Sequence, residues 1–272
     1  MGRNATQSPT PYFHCRRRPL MRTSFNGVLE RNGITKLTSQ GWLDGNGIFE
    51  TIRTVRSRPY LFQRHLDRAT SSAGIANIPM PGSEIIQTSV AQLLNSDSCE
   101  NGLLRISFGS DGNWAAAHIP YEPINTAANV CTHTDQIDTA GESIKRYPYD
   151  YRLRILENAK ELGFDEALVV NATGNVCEGA VTNLLVNLDG QWITPPTSDG
   201  LLPGIMRGFV IENFPVKVSS LSKSRLDDVS AAILLSSLRI AQPIQSINGR
   251  KLAASETFCA QIEAMTVLHS VD

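Results

Sequence analysis

Strand-like and helix-like runs mix in both halves of this sequence, never in the regular strand–helix–strand rhythm that a doubly wound parallel sheet requires. Residues 24–40 alternate apolar and polar around Asn32-Gly33, a hairpin signal. Residues 48–55 read as a strand, with Arg58-Pro59 as the turn into a short strand over 60–62. Helical spacing predicts a helix over 63–73, with Leu66 and Ala69 inward, and another over 84–94 through Ile85, Ile86, Val90 and Leu93. A strand over 103–108, a loop from 109 to 116, a helix over 151–162 and strands over 167–170, 182–186 and 192–194 follow. A further helix starts near Gly204, after a Pro-rich loop. The pattern is that of an α+β fold.

A polar, Gly-containing stretch over 132–143 reads as a linker. It separates a smaller N-terminal α+β domain (21–131) from a larger C-terminal one (144–272). Residues 1–20 carry Pro9, Pro11, Pro19 and the cluster Arg16-Arg17-Arg18 but no apolar h-region, which speaks against a secretory signal. Met21 is an alternative start. A Met-Gly beginning with Thr6 superficially fits a myristoylation pattern, and the Arg-rich, acid-poor run a transit peptide. A disordered extension is the simpler reading.

With 41% hydrophobic and 19% charged residues and a net charge of −1, the composition is that of a soluble globular protein. Nothing basic enough for nucleic acid or apolar enough for a bilayer is present. The five cysteines are widely spaced without a CxxC pair, so neither a disulfide framework nor a metal site is expected, and a cytoplasmic location fits.

Taken singly, the chemically capable residues say little. Lys145, after the linker and before a helix, is of a kind usually found as a solvated charge. Glu178 lies between two strand-like runs, where acids generally face water. Gly204-Ile205-Met206 opens a helix after Pro203, and helix starts offer unsatisfied N–H groups to an anion or to water. Arg239 suits a substrate carboxylate or a surface salt bridge equally well.

Their order and spacing say more. The segment Asp44-Gly45-Asn46-Gly47-Ile48-Phe49-Glu50-Thr51-Ile52-Arg53 resembles the GDGxFET element of class IV aminotransferases. His65 and Arg68 match that family's HxxR helix, and Lys145 stands 20 residues before the Asp165-Glu166-Ala167-Leu168 strand. Glu178-Gly179-Ala180-Val181-Thr182-Asn183 resembles its EGxx[ST]N element, and Leu202-Pro203-Gly204-Ile205-Met206-Arg207 its LPGIxR element. The segment from Ser236 to Ile244, with Pro243, is similar to its last phosphate-side element.

The resemblance implies a two-domain fold type IV enzyme, D-amino acid aminotransferase-like and homodimeric, that uses pyridoxal 5'-phosphate. Such an enzyme needs a lysine to hold the cofactor covalently and to shuttle the substrate proton, a role implied for Lys145. Glu178 then secures the proton on the pyridine nitrogen. Arg68, the N–H groups of Ile205 and Met206, and the Ser237 hydroxyl would bind the phosphate, each charge-assisted bond contributing roughly 1.5–3 kcal/mol. Pro148 replaces the family's common Asn, leaving Tyr149 or Tyr147 for the ring hydroxyl. The triplet Gly45-Asn46-Gly47 lacks the family's Asp, and the loop from Phe108 to Trp114 only faintly resembles the RGxGxRG of lyase members.

Phe49-Glu50-Thr51-Ile52-Arg53 and the Ser237–Pro243 segment look most like aminodeoxychorismate lyase, which gives 4-aminobenzoate for folate biosynthesis and pyruvate. Arg239, Arg105 and Tyr149 are the candidate contacts for this small amino substrate. Transamination of branched-chain or D-amino acids is the alternative. A non-catalytic cofactor-binding protein and a cofactor-free structural module are further ones.

Overall fold

The computed structural model describes residues 21–30, 37–38, 41–96, 99–137 and 144–270. The first half comprises β1 (Arg22–Phe25), β2 (Val28–Glu30), β3 (Gly47–Val55), β4 (Arg58–Pro59), α1 (Phe62–Ala76), α2 (Ser83–Asn95), β5 (Asn101–Gly109) and β6 (Trp114–Pro120). Then come β7 (Ala128–Ile137), β8 (Arg146–Tyr147), α3 (Asp150–Glu161), β9 (Glu166–Asn171), β10 (Asn175–Gly179), β11 (Asn183–Leu188) and β12 (Gln191–Thr194). The chain ends with α4 (Ile205–Asn213), β13 (Lys217–Val218), β14 (Leu221–Ser222), β15 (Val229–Ser236), β16 (Ile240–Ile247), β17 (Arg250–Lys251) and α5 (Glu256–Leu268).

Among the described residues the strands form two sheets. The first runs β2-β1-β6-β5-β3-β4, with β8 also paired to β3; the second runs β13-β12-β11-β15-β16-β7-β9-β10-β14, with β17 on β16. The α+β class is therefore as the residue pattern implied.

Pleating sorts the long antiparallel pair β3–β5 into two faces. Ile48, Ile52, Leu104, Ile106 and Phe108 pack with Leu66, Ala69, Ile86, Val90 and Leu93 of α1 and α2 in one core. Phe49, Thr51 and Arg105 alternate with them and so face the other way, where they line a cavity. In the second sheet Val130, Leu168, Leu184 and Leu234 centre one core, and α4 and α5 close another through Phe209 and Ile262.

Several local expectations need correction. Thr132 to Ile137 continue β7, which pairs in parallel with β9 (Gln136 opposite Val170), whereas 138–143 lie outside the described residues. Thr132 to Gln136 are polar, but a strand's ladder needs only backbone groups. Ala128–Ile137 thus already belongs to the second sheet, while Arg146–Tyr147 returns to the first. The hairpin expected at Asn32-Gly33 falls outside the described residues, as do residues 1–20; the described turn is at Asn26-Gly27, both with positive φ. Arg58–Pro59 is itself strand, reached by a turn at Arg56 and Ser57, and α1 begins at Phe62, within the run read as a strand. Ile85 faces outward at 55% exposure, and β6 starts at Trp114, inside the expected loop.

Candidate active site

A cavity of about 290 Å³ is lined from both sheets. Nine of the residues singled out from the sequence border it: Arg68, Arg105, Lys145, Tyr149, Glu178, Ile205, Met206, Ser237 and Arg239. Tyr147 does not; its ring is buried beside a neighbouring cavity that shares Trp42, Tyr149 and Leu153 with the first.

Lys145 stands one residue before β8, and its carbonyl accepts a hydrogen bond from the Phe49 N–H at 3.0 Å. That bond ties the lysine backbone to β3. The Nζ lies 4.5 Å from the centre of the Phe49 ring and 4.8 Å from that of Tyr149. Burial, with help from the Arg68 and Arg105 cations, draws the ammonium down to about 7, while Glu50 and Glu178 pull the other way. A lysine so placed is largely neutral just above neutrality and able to act as a nucleophile or base.

The resemblance gives Glu178 to the cofactor ring, although its position between strand-like runs alone would suggest a solvent-facing turn. It instead lies within β10 and is 5% exposed. Its Oε1 accepts from Arg152 Nη2 at 2.8 Å, and its Oε2 from Asn183 Nδ2 at 3.0 Å and the Leu202 N–H at 3.2 Å. These donors converge on its two carboxylate oxygens and hold Glu178 in place to face a ring nitrogen.

Arg68 projects from α1. Its Nε and Nη2 donate to the two oxygens of Glu50 at 2.8 and 2.6 Å, and its Nη1 donates to the Pro203 carbonyl at 3.1 Å. Burial raises the Glu50 pKa, but Arg68 and His65 outweigh it and hold the carboxyl at about 2. His65 Nδ1 lies 2.6 Å from Glu50 Oε2, and burial lowers the imidazole's pKa, so the neutral ring donates through Nδ1.

Pro203 leads into α4, whose N-cap Gly204 supplies no side chain to satisfy the first-turn N–H groups of Ile205 and Met206. Ser237 and Arg239 follow β15 in the turn toward β16. Arg239 is neither a solvent-facing residue nor a bare substrate contact. Its Nη2 meets Glu166 Oε2 at 3.3 Å, and its Nη1 donates to Gln242 Oε1 at 3.1 Å. Arg105 lies with its guanidinium carbon 3.9 Å from the centre of the Trp42 ring, and burial lowers its pKa to about 10.

Residue reading passed over Glu50, Arg152, Trp42 and Glu166 as functional groups. Glu50 had a signal: an acid at the core-facing position of an apolar strand, between Ile48 and Ile52, needs a buried partner. Arg152, Trp42 and Glu166 carry none, because their importance rests on neighbours distant in sequence.

The donor set fits pyridoxal phosphate. One cavity presents a near-neutral lysine amine, a buried carboxylate for a ring nitrogen, and an uncapped helix start beside an arginine for a phosphate.

Comparisons with known proteins agree. A bifunctional aminodeoxychorismate lyase / D-amino acid transaminase of Mycobacterium tuberculosis is 23% identical over 261 residues, covering 82% of this chain and 90% of that protein. A branched-chain-amino-acid aminotransferase of Pseudomonas aeruginosa is 23% identical over 257 residues, covering 82% of this chain and 83% of its own length. The crystal structure of a branched-chain aminotransferase from Thermoproteus uzoniensis superimposes with a TM-score of 0.82 at 22% identity, covering 92% of this chain and 96% of that one. The sequence model of the family described as amino-transferase class IV matches residues 47–247, so the chain belongs to the class IV aminotransferases and is a pyridoxal-phosphate-dependent enzyme.

Proposed function

We propose that the chain is a homodimeric lyase that converts 4-amino-4-deoxychorismate into 4-aminobenzoate and pyruvate. The observation that carries this reading is the pair of arginines on one cavity. Arg105 and Arg239 border the same space as the aromatic walls Trp42, Phe49 and Tyr149, which suits a cyclohexadiene ring with one carboxylate on the ring and a second on its enolpyruvyl ether. The lyase activity named for the Mycobacterium tuberculosis relative supports it.

Pyridoxal phosphate, when bound, supplies the electron sink for the reaction. Lys145 would hold the cofactor, and its amine would serve as the base for the proton at substrate C4. The enolpyruvyl group leaves with its ether oxygen and gains a proton at its methylene carbon to become pyruvate. Glu178 would hold the proton on the ring nitrogen. Arg68, the N–H groups of Ile205 and Met206, and Ser237 would bind the phosphate, and Tyr149 would be the partner for the ring hydroxyl.

One observation favours a second reading, transamination of branched-chain or D-amino acids. Arg239 already has Glu166 and Gln242 as partners, which leaves less of its fork for a second carboxylate on the substrate. Incubating the holoenzyme with aminodeoxychorismate, and separately with amino acid and 2-oxo acid pairs, tests both. Formation of 4-aminobenzoate and pyruvate without any 2-oxo acid supports the lyase; amino transfer with no such products supports the second reading.

A further inference from the structure

The segment Leu202-Pro203-Gly204 is held from both ends of the cavity. The Leu202 N–H donates to Glu178 Oε2 at 3.2 Å, and the Leu202 carbonyl accepts from Asn183 Nδ2 at 2.9 Å. The same Asn183 Nδ2 donates to Glu178 Oε2 at 3.0 Å, closing a ring of hydrogen bonds. One residue on, the Pro203 carbonyl accepts from Arg68. At Gly204, the N-cap of α4, a Cβ would fall 1.8 Å from Asn183 Oδ1. Asn183 itself has little freedom. It is 6% exposed, and a tight turn closed by the Gly179 N–H and the Thr182 carbonyl at 2.7 Å fixes its place at the head of β11.

We propose that Asn183 is a positioning residue that locks the carboxylate for the ring nitrogen and the N-terminus of α4 into one rigid unit, so that the two ends of the cofactor site stand in fixed register. A single amide NH2 spends its two protons on Glu178 and on the backbone that leads into the phosphate-binding helix. The amide oxygen, packed against Gly204, sets the closest approach of that helix start. Asp at this position could not donate and would bring a second negative charge against Glu178. The inference rests on the roles given above to Glu178 and the α4 start. Covalent capture of pyridoxal phosphate by Lys145 in the unaltered chain tests those roles' common premise separately.

A rigid spacing matters to a ligand that engages both ends and not to one that engages a single end. The apoprotein is therefore titrated with pyridoxal phosphate, with pyridoxal, which has no phosphate, and with inorganic phosphate. In Asn183→Ala the ratio of the pyridoxal Kd to the pyridoxal phosphate Kd should fall roughly three- to tenfold, the loss of about one hydrogen bond's worth of alignment. Binding of inorganic phosphate should stay unchanged. Gly204→Ala, which drives a methyl into the Asn183 oxygen, should lower the ratio likewise, and it decides the matter if Asn183→Ala does not fold. A ratio unchanged in the folded variants, with both vitamin forms weakened equally, would mean that Asn183 supports only the ring end and would overturn the proposal.

Discussion

Arg68 grips Glu50 with a two-pronged fork, Nε and Nη2 donating to separate carboxylate oxygens at 2.8 and 2.6 Å. The residue the resemblance gives to the phosphate is therefore preset by a partner from the adjoining strand. Its third contact, to Pro203, reaches the loop that begins α4. The guanidinium plane is fixed before any ligand arrives, which lowers the ordering cost of binding.

Glu50→Gln should destabilise the protein by about 3–5 kcal/mol at neutral pH, because a buried pair loses one charged partner. The pH dependence has a definite sign. With the folded pKa held at about 2 against an ordinary 4.5, Glu50 contributes stability above pH 4.5 that is lost as pH falls toward 2. Urea unfolding measured across that window should show a shallower acid limb in the variant. An unchanged limb would remove Glu50 as the anchor.

Lys145 should capture pyridoxal phosphate at a rate that rises through about pH 7 and levels off above, since only the neutral amine attacks. Stopped-flow recording of the visible absorbance of bound cofactor measures it. A rise that continues toward pH 10, the ordinary lysine range, would contradict the burial argument. Lys145→Ala should lose both the absorbance and turnover. A pyridoxyl label found on Lys160 after borohydride reduction would defeat the assignment outright.

The residues that meet the cavity were legible because their motifs mark junctions between elements. Lys145 precedes β8, Glu178 ends near a tight turn, and Ile205 and Met206 start a helix after Pro203-Gly204. What orients them was not legible. Arg152 reaches Glu178 across 26 positions, and Glu166 meets Arg239 only because β9 and the β15–β16 turn come together through sheet pairing. Register and crossover connections create those contacts, and single-segment periodicity contains neither. The burial of Glu178 was not legible for a related reason: a strand of five residues that includes Asn, Cys, Glu and Gly carries no apolar alternation.

Arg239→Ala should behave first as a stability variant. It leaves the Glu166 carboxylate, already pushed up by burial, without the cation that holds it down. Losing that partner costs about 3–5 kcal/mol at neutral pH. A carboxyl whose folded pKa is raised stabilises the fold below its unfolded value, and that contribution disappears as pH rises through the folded one. The variant's deficit should therefore shrink as pH is lowered from 7 toward 5, as read from urea midpoints. Adding Glu166→Gln should recover most of the loss at pH 7. A constant deficit across pH would show that the pair is not the cause.

Arg105 separates the two candidate reactions more cleanly. Its guanidinium is buried against the Trp42 face at 3.9 Å on the cavity wall, and burial lowers its pKa to about 10. A cation desolvated to this degree gains most from a planar anion, because the fork can pair with both carboxylate oxygens while the ring covers one face. Arg105→Met keeps much of the packing and removes the charge. It should lower kcat/KM for any carboxylate substrate roughly ten- to a hundredfold, mostly through KM, with cofactor absorbance unchanged. Arg105→Lys should recover only part of that, since an ammonium has neither fork nor plane. The comparison with the pair Arg239→Met and Glu166→Gln then decides between readings. A dicarboxylate lyase substrate should suffer from loss of either arginine, whereas an amino acid read through one carboxylate should suffer from loss of Arg105 alone. Wild-type kinetics in Arg105→Met on every substrate would place the carboxylate site elsewhere in the cavity and remove the support that the two arginines give the lyase.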